Sequence, residues 1–318
     1  MKLVAPRSMK TFLDGRLSPG VDAVYAADSA EALAAAPDAE IGWFDVPPFS
    51  AARATIAAAP RLRWVSTMLA GLDYLPLGLL SERGAVVTNG AGLHAIPCAE
   101  YVLMGMLAAA KNYPQIVRAQ DRCEWLKTPP GVVELADSTA LIVGYGQIGQ
   151  TIAERLRAFG VTVTGVRRRS GRDGGGDDLA VIGADAWRDR LGEFDWVILA
   201  APATGETAKM IGAEELSRMK PGARLVNVAR GALVDQPALV AALHAGTLAG
   251  AVLDVTDPEP LPKDDPLWSA PGAIITMHLS GPSQTRLPER AAALFLENVH
   301  RFVEGRPLRN LVDLAAGY

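Results

Sequence analysis

Residues 139–160, "TALIVGYGQIGQTIAERLRAFG", pass from a strand-like run through a glycine-rich turn into a stretch whose apolar residues recur at helical spacing. Strand, turn and helix in that order are the context in which glycines spaced GxGxxG signify a dinucleotide site. Gly144 allows the tight turn, Gly146 lets backbone approach a pyrophosphate, and Gly149 lets the helix pack closely on its strand. The helix N-terminus then offers unpaired N–H groups and the positive end of its dipole to the phosphates.

The next strand ends in arginines: "GVTVTGVRRRSGRDGGGDD", residues 160–178. A domain that binds NAD usually places Asp or Glu there, to accept hydrogen bonds from the adenosine ribose 2′-OH. This chain places Arg167 there, followed by Arg168, Arg169 and Ser170. A carboxylate would repel a 2′-phosphate, whereas guanidinium groups pair with it through several N–H donors. The pattern predicts NADP(H) as cofactor, with Ser170 as a further donor and NAD(H) as the weaker alternative. The competing reading is a solvated basic turn. "GRDGGGDD" itself reads as a flexible turn.

A chain of 318 residues, 49% of them apolar, can bury a large core and suits two domains. A net charge of −4 gives no electrostatic case for nucleic acid or an anionic membrane. Cys98 and Cys123 make neither a disulfide framework nor a metal-ligand cluster. The opening "MKLVAPRSMKTFLDG" lacks the apolar core of a signal peptide, and "YVLMGMLAAA" is too short to span a bilayer. A soluble cytoplasmic protein with no nucleic-acid or membrane partner is expected.

Two series of strands alternate with helical stretches, which argues for parallel sheets with crossovers. The first runs "KLVAP", "VDAVYAA", "EIGWFDV", "RWVSTM" and "GAVVTN". One long helix is predicted from about Ile96 to Val117. After it come "TALIV", "VTVTGVR", "DWVILAAP", "ARLVNVAR", "AGAVLDV" and "AIITMH", apolar almost throughout, as strands covered on both faces should be. The final amphipathic segment, "QTRLPERAAALFLENVHRFVEG", is expected to pack back on the first sheet. The predicted class is α/β: two Rossmann-like, doubly wound parallel-sheet domains with a cleft between them. Residues 1–94 and 284–318 form a discontinuous substrate domain around an inserted dinucleotide domain, 95–283.

Four histidines compete as proton donor. His244 and His300 lie within amphipathic helices, and His94 sits at the crossover between domains. His278 ends the strand "AIITM", and in open α/β sheets ligands bind beyond the carboxyl ends of the strands. Arg230 follows "ARLVNVA", and Glu259 lies just past "AGAVLDVTDP". Singly each is an ordinary loop charge; together, at successive strand ends, they suggest a reacting centre.

These segments resemble the D-isomer-specific 2-hydroxyacid dehydrogenase family. "LIVGYGQIGQTIAERL" is similar to its cofactor loop, "MKPGARLVNVARGALVDQPALVAAL" to the segment whose arginine is catalytic, here Arg230. "LAGAVLDVTDPEPLP" matches the segment carrying the catalytic glutamate, Glu259, and "MHLSGPS" the one carrying the catalytic histidine, His278. The arginines after the second strand look like those of NADPH-preferring glyoxylate and hydroxypyruvate reductases. The resemblance implies reduction of a small 2-keto acid, with Arg230 clamping its carboxylate and carbonyl oxygens and His278, partnered by Glu259, giving the proton. "STMLAGLDYL" resembles the loop whose amides hold the substrate carboxylate, suggesting Leu69, Ala70 and Gly71. Further cofactor contacts are implied at Gln147, Ile148, Ala201, Pro202, Val228, Asp254, His278 and Gly281. Met277 departs from the family's usual proline and Asp265 from a common histidine. A homodimer is also implied, with the arm "DRCEWLKTPPGVVELAD" reaching across and Trp125 edging the partner's pocket; the alternative is Trp125 packed in its own subunit. Two rival functions remain: an NAD-dependent enzyme for a bulkier keto acid, and a non-catalytic protein that senses the dinucleotide.

Overall fold

The computed structural model describes residues 1–72, 74–168 and 180–314. The chain divides into two compact units, Met1–His94 with Gln284–Tyr318, and Ala95–Ser283.

In the first unit, β1 (Lys2–Pro6), β2 (Asp22–Ala26), β3 (Ile41–Trp43), β4 (Trp64–Ser66) and β5 (Val86–Thr88) form a five-stranded parallel sheet in the order β2-β1-β3-β4-β5. Alternate residues of a strand point to opposite faces, so each strand feeds two cores. Val4, Val65 and Val87 pack on one side with Ala32, Ile56 and Leu80. Leu3, Ala5, Trp43 and Trp64 pack on the other against Ala291, Phe295 and Val299 of the helix Leu287–Val303. Phe295 lies 4.7 Å from Trp43 and 5.2 Å from Trp64, ring centre to ring centre. The last amphipathic segment therefore does return to the first sheet.

The second unit is a seven-stranded parallel sheet ordered β12-β11-β10-β9-β6-β7-β8, from β6 (Thr139–Val143), β7 (Thr162–Arg167), β8 (Ala180–Gly183), β9 (Trp196–Leu199), β10 (Arg224–Asn227), β11 (Gly250–Leu253) and β12 (Ala273–Ile275). Leu141, Val143, Val197 and Leu199 enter one core, while Ala140, Ile142, Trp196 and Ile198 enter the other. Burial on both faces explains why these strands carry no polar alternation. The sequence reading missed β8, a four-residue edge strand just beyond the glycine- and aspartate-rich segment.

The long helix expected over 96–117 is instead two, Ala95–Ala110 and Tyr113–Asp121. Pro114 explains the break: inside a continuous helix its ring would clash with the carbonyl of Ala110 and its missing N–H would cost a bond. Asn112 adopts a left-handed conformation, φ 46°, and Pro114 falls in the first turn of the new helix, where it is tolerated. The first helix lies flat on the sheet because Gly105 has no Cβ; one placed there would come 2.4 Å from Val252 Cγ1. Among the described residues no helix is long and apolar enough to cross a membrane.

Candidate active site

At the centre of the second sheet, β6 has β7 and β8 on one side and β9 to β12 on the other. Strand order reverses there, and the crevice beyond such a switch point is where open α/β sheets bind ligands. The glycine turn occupies it. Gly144 has φ 102°, and a Cβ would lie 2.4 Å from the backbone nitrogen of Ala201. A Cβ on Gly149 would lie 2.4 Å from the carbonyl oxygen of Gly144, so the helix Gln147–Ala158 sits directly on the turn. A Cβ on Gly146 would meet nothing within 4 Å. That open position, beside a helix start whose first amides lack helical partners, fits a dinucleotide pyrophosphate. Gln147 and Ile148 open the helix, and Ala201 and Pro202 follow β9 across the crevice.

Arg167 is the last residue of β7 and is half-buried. Its Nε donates to the carbonyl of Tyr145 at 2.7 Å, and its guanidinium lies 5.5 Å from the Tyr145 ring centre. The arginine is thereby tethered to the glycine turn. Arg168 is exposed, while Arg169 and Ser170 lie outside the described residues.

Beyond β10, the fully buried Asn227 holds the turn that carries Arg230. Its amide donates to the Arg230 carbonyl at 2.9 Å, and its oxygen accepts from Ala229 N–H at 3.0 Å. Val228, at this strand end, is buried. Gly231 follows because a Cβ there would stand 2.0 Å from the carbonyl carbon and oxygen of Thr256. The turns after β10 and β11 are in backbone contact. On the second, Glu259 Oε1 accepts from Thr256 N–H at 3.1 Å, and Oε2 lies 2.8 Å from His278 Nδ1. With Nδ1–H donated to the carboxylate, His278 Nε2 is left to exchange a proton with a ligand. The His278 and Glu259 side chains are 45% and 37% exposed.

Asp254, expected near the nicotinamide end, is 2% exposed and committed within the chain. Its Oδ1 accepts from Thr276 Oγ1 at 2.7 Å, Leu279 N–H at 3.0 Å and Ser280 N–H at 3.2 Å, and so shapes the turn carrying His278. Met277 and His278 both have positive φ, 56° and 58°. Proline cannot adopt that conformation, so the departure at Met277 accompanies a turn that excludes proline. Half-buried Gly281 closes the segment. Asp265, the other departure, caps a short helical turn: it accepts from Leu267 N–H at 2.8 Å and from Gln236 Nε2 at 3.0 Å. Cys98, which sequence reasoning gave no role, has its Sγ 3.5 Å from Ser280 Oγ. Burial pushes its thiol pKa up, the Ser280 hydrogen bond and Arg230 oppose that, and Asp254 adds to it.

The loop after β4 belongs to the first unit. Of the three amides expected to hold a carboxylate, that of Leu69 is already donated to Thr67 Oγ1 at 3.0 Å. Among the described residues those of Ala70 and Gly71 have no hydrogen-bond acceptor, while the carbonyls of Leu69 and Ala70 are bound by Gly90 N–H and Asn89 Nδ2. His94 donates from Nε2 to the Met68 carbonyl at 3.2 Å while Nδ1 accepts from Gln284 Nε2 at 3.1 Å, a structural role. His300 bonds Ser18, and His244 ends a helix. Trp125 is 94% exposed, so its own subunit does not bury it.

A family model described as the D-isomer specific 2-hydroxyacid dehydrogenase, NAD binding domain, matches residues 103–280. The chain is 35% identical over 264 residues to a glyoxylate reductase of Korarchaeum cryptofilum, covering 80% of this chain and 77% of that protein. It is 32% identical over 262 residues to a D-3-phosphoglycerate dehydrogenase of Methanocaldococcus jannaschii. That match covers 82% of this chain and 49% of the relative, so the chain spans about half the relative's length. Among solved structures it resembles a D-isomer specific 2-hydroxyacid dehydrogenase from Xanthobacter autotrophicus Py2 in complex with NADPH and MES. There the TM-score is 0.79 at 28% identity, over 100% of this chain and 99% of the other.

The contact at Gly231 yields a test independent of activity. Gly231→Ala must push the turns after β10 and β11 apart, since the obstacle is backbone. Faster hydrogen exchange is expected in residues 229–233 and 255–259, with destabilisation of about 1–3 kcal/mol, the usual scale of overpacking.

Proposed function

This chain belongs to the D-isomer specific 2-hydroxyacid dehydrogenases, and from that premise we propose that it reduces a small 2-keto acid, of the glyoxylate or hydroxypyruvate kind, to the D-2-hydroxy acid with NADPH. The observation that carries the reading is the His278–Glu259 pair at 2.8 Å, its glutamate on a turn that touches the backbone of the one bearing Arg230.

The dihydronicotinamide, when bound, supplies a hydride; the chain must orient the carbonyl and stabilise the charge developing on its oxygen. Arg230 is suited to both tasks, because a planar guanidinium can grip a carboxylate and a carbonyl oxygen with separate N–H groups. His278 gives the proton from Nε2, while Nδ1–H to Glu259 fixes the ring's tautomer and orientation. In the reverse direction the same nitrogen accepts it. The free amides of Ala70 and Gly71 are suited to the substrate carboxylate. Gly146 and the helix start beside it would hold the cofactor's pyrophosphate, and Arg167 and Arg168 would supply cations for a 2′-phosphate.

The relatives support the substrate class without narrowing it: one is a glyoxylate reductase and another a D-3-phosphoglycerate dehydrogenase. A panel of 2-keto acids from glyoxylate to bulky aromatic ones, each with NADPH and NADH, tests the proposal. Turnover of glyoxylate or hydroxypyruvate with NADPH is expected. Preference for NADH and a bulky acid would favour the first rival. Dinucleotide binding with no turnover of any acid would favour a sensing protein.

The partner is proposed to be a second copy of the chain. Trp125 stands in solvent, and on the same unit Leu103, Met104, Leu107 and Tyr113 line a groove of about 500 Å³. Two-fold pairing would cover both features on both copies at once, which is how an isologous dimer buries a self-complementary patch.

Three outcomes are expected. His278→Ala should lower kcat about a hundredfold or more with little change in cofactor affinity, and near-normal turnover in the folded variant would sink the assignment. Arg167→Asp should shift the ratio of kcat/KM for NADPH over NADH by about ten- to a hundredfold toward NADH. The ratio is the right quantity because losing the tether to Tyr145 burdens both cofactors alike. Sedimentation should give a dimer, and Trp125→Ala should weaken it; a monomer at working enzyme concentration would reject the pairing.

A further inference from the structure

A second acid at a strand end lies in the first unit and has no part in the chemistry above. Asp45, two residues beyond β3, is 7% exposed, and apart from Trp43 of its own strand its partners, Thr67, Met68 and Tyr74, belong to the loop after β4. Oδ2 accepts from Trp43 Nε1 at 2.8 Å, Thr67 Oγ1 at 3.0 Å and Met68 N–H at 2.6 Å. Oδ1 lies 2.8 Å from the Tyr74 hydroxyl, which is itself 2.7 Å from Thr67 Oγ1. Thr67 Oγ1 also accepts from Leu69 N–H, and the Met68 carbonyl is held by His94. The Met68 peptide is thus gripped from both sides, immediately before the two unbonded amides.

Counting hydrogens assigns the charge. Asp45, Tyr74 and Thr67 form a closed ring of three oxygen–oxygen contacts, of 2.8, 2.7 and 3.0 Å. Each contact needs one proton, and the two hydroxyls supply only two. Were Asp45 ionised, one contact would set lone pair against lone pair inside the protein. A proton on Oδ1 completes the ring: Asp45 donates to Tyr74, Tyr74 to Thr67, and Thr67 to Asp45 Oδ2. Burial acts in the same direction: it raises the Asp45 carboxyl pKa and outweighs the surrounding hydrogen bonds, which lower it. Of the described groups acting on it, Tyr74 is the titratable one, and its own pKa is raised, chiefly by burial.

We infer that Asp45 is a positioning residue, held as the uncharged carboxylic acid, which closes this ring and so fixes the turn whose Ala70 and Gly71 amides receive the substrate carboxylate. A neutral group also spares the incoming anion a nearby buried negative charge. The inference rests on the reading of Ala70 and Gly71 as a carboxylate site. It does not restate that reading, because Asp45 touches neither amide.

The test compares Asp45→Asn, Asp45→Ala and Tyr74→Phe in the full chain, by steady-state kinetics on glyoxylate and by hydrogen exchange over residues 67–72. Asparagine has the shape and hydrogen count of the protonated acid: its oxygen takes the three donors and its amide donates to Tyr74. Asp45→Asn should stay within about threefold of the parent KM, while the other two raise KM about tenfold or more with a smaller change in kcat. Exchange should quicken in those two alone. An asparagine variant as impaired as the alanine one would overturn the uncharged acid. Unchanged KM and exchange in Tyr74→Phe would overturn the positioning role; that variant keeps the packing, so it serves even where Asp45→Ala does not fold. A parent that turns over no 2-keto acid would defeat the functional reading alone, since the exchange contrast still decides whether Asp45 holds the turn.

Discussion

Backbone meets backbone at three places along the carboxyl edge of the second sheet, and no side chain fits at any of them. Gly149 rides on the carbonyl of Gly144, Gly144 abuts Ala201, and Gly231 abuts Thr256. These contacts bring the turn after β6 against that after β9, and the turn after β10 against that after β11. Charged residues placed on such turns can act on one ligand, because the turns have no slack. A glycine surrenders more conformational freedom on folding than any other residue, so three at contact points are costly. The cost is intelligible only as the condition for close approach.

The turns so assembled are then stiffened by buried polar groups: Asn227, which the sequence reading did not single out, and Asp254, which it expected at the cofactor. Asn227 and Asp254 are almost completely buried; Asn227 spends its side chain on the backbone of its own strand-end turn, and Asp254, just past β11, on that of the turn after neighbouring β12. Buried polar groups are tolerated only when bonded, and here the bonds run to the segments that present Arg230 and His278. The first unit repeats the device with Asp45. In each case a buried polar residue at or just past a strand end supports an exposed turn one step further on.

How much of this was legible in the sequence follows from how local each signal is. The glycine turn is local: its strand, turn and helix are contiguous in the sequence, and the structure crowds Gly144 and Gly149 and leaves Gly146 open. Arg167 was placed by counting one helix and one strand from that turn, and it does close β7. Non-local facts were not legible. Nothing in "FDVPP" announces that Asp45 will meet Tyr74, because the contact depends on how β3 and β4 lie side by side. Nor could the list of candidate amides show that Leu69 would spend its own on Thr67. The break at Asn112 was legible in principle, since Pro114 cannot sit inside a helix, but apolar spacing on both sides of it outweighed that signal. Strand β8 was hidden by its neighbours: four residues at a sheet edge, next to a glycine-rich run, carry no periodicity.

The pair at the centre of the proposed chemistry is poorly explained by stability. A hydrogen-bonded pair as exposed as His278 with Glu259 contributes little to folding, because water competes for both groups. The turn beneath it has two consecutive non-glycine residues at positive φ, a conformation costing on the order of 1–2 kcal/mol each for L-residues. Such a conformation persists only where the surroundings over-determine it. Here they do: Asp254 binds the turn at three points, through Thr276, Leu279 and Ser280. A buried carboxylate thus sustains an unfavourable backbone in order to hold an exposed imidazole against an exposed carboxylate. Folding gains nothing from that arrangement, whereas a ligand arriving at the carboxyl edge of the sheet would find a proton donor already oriented.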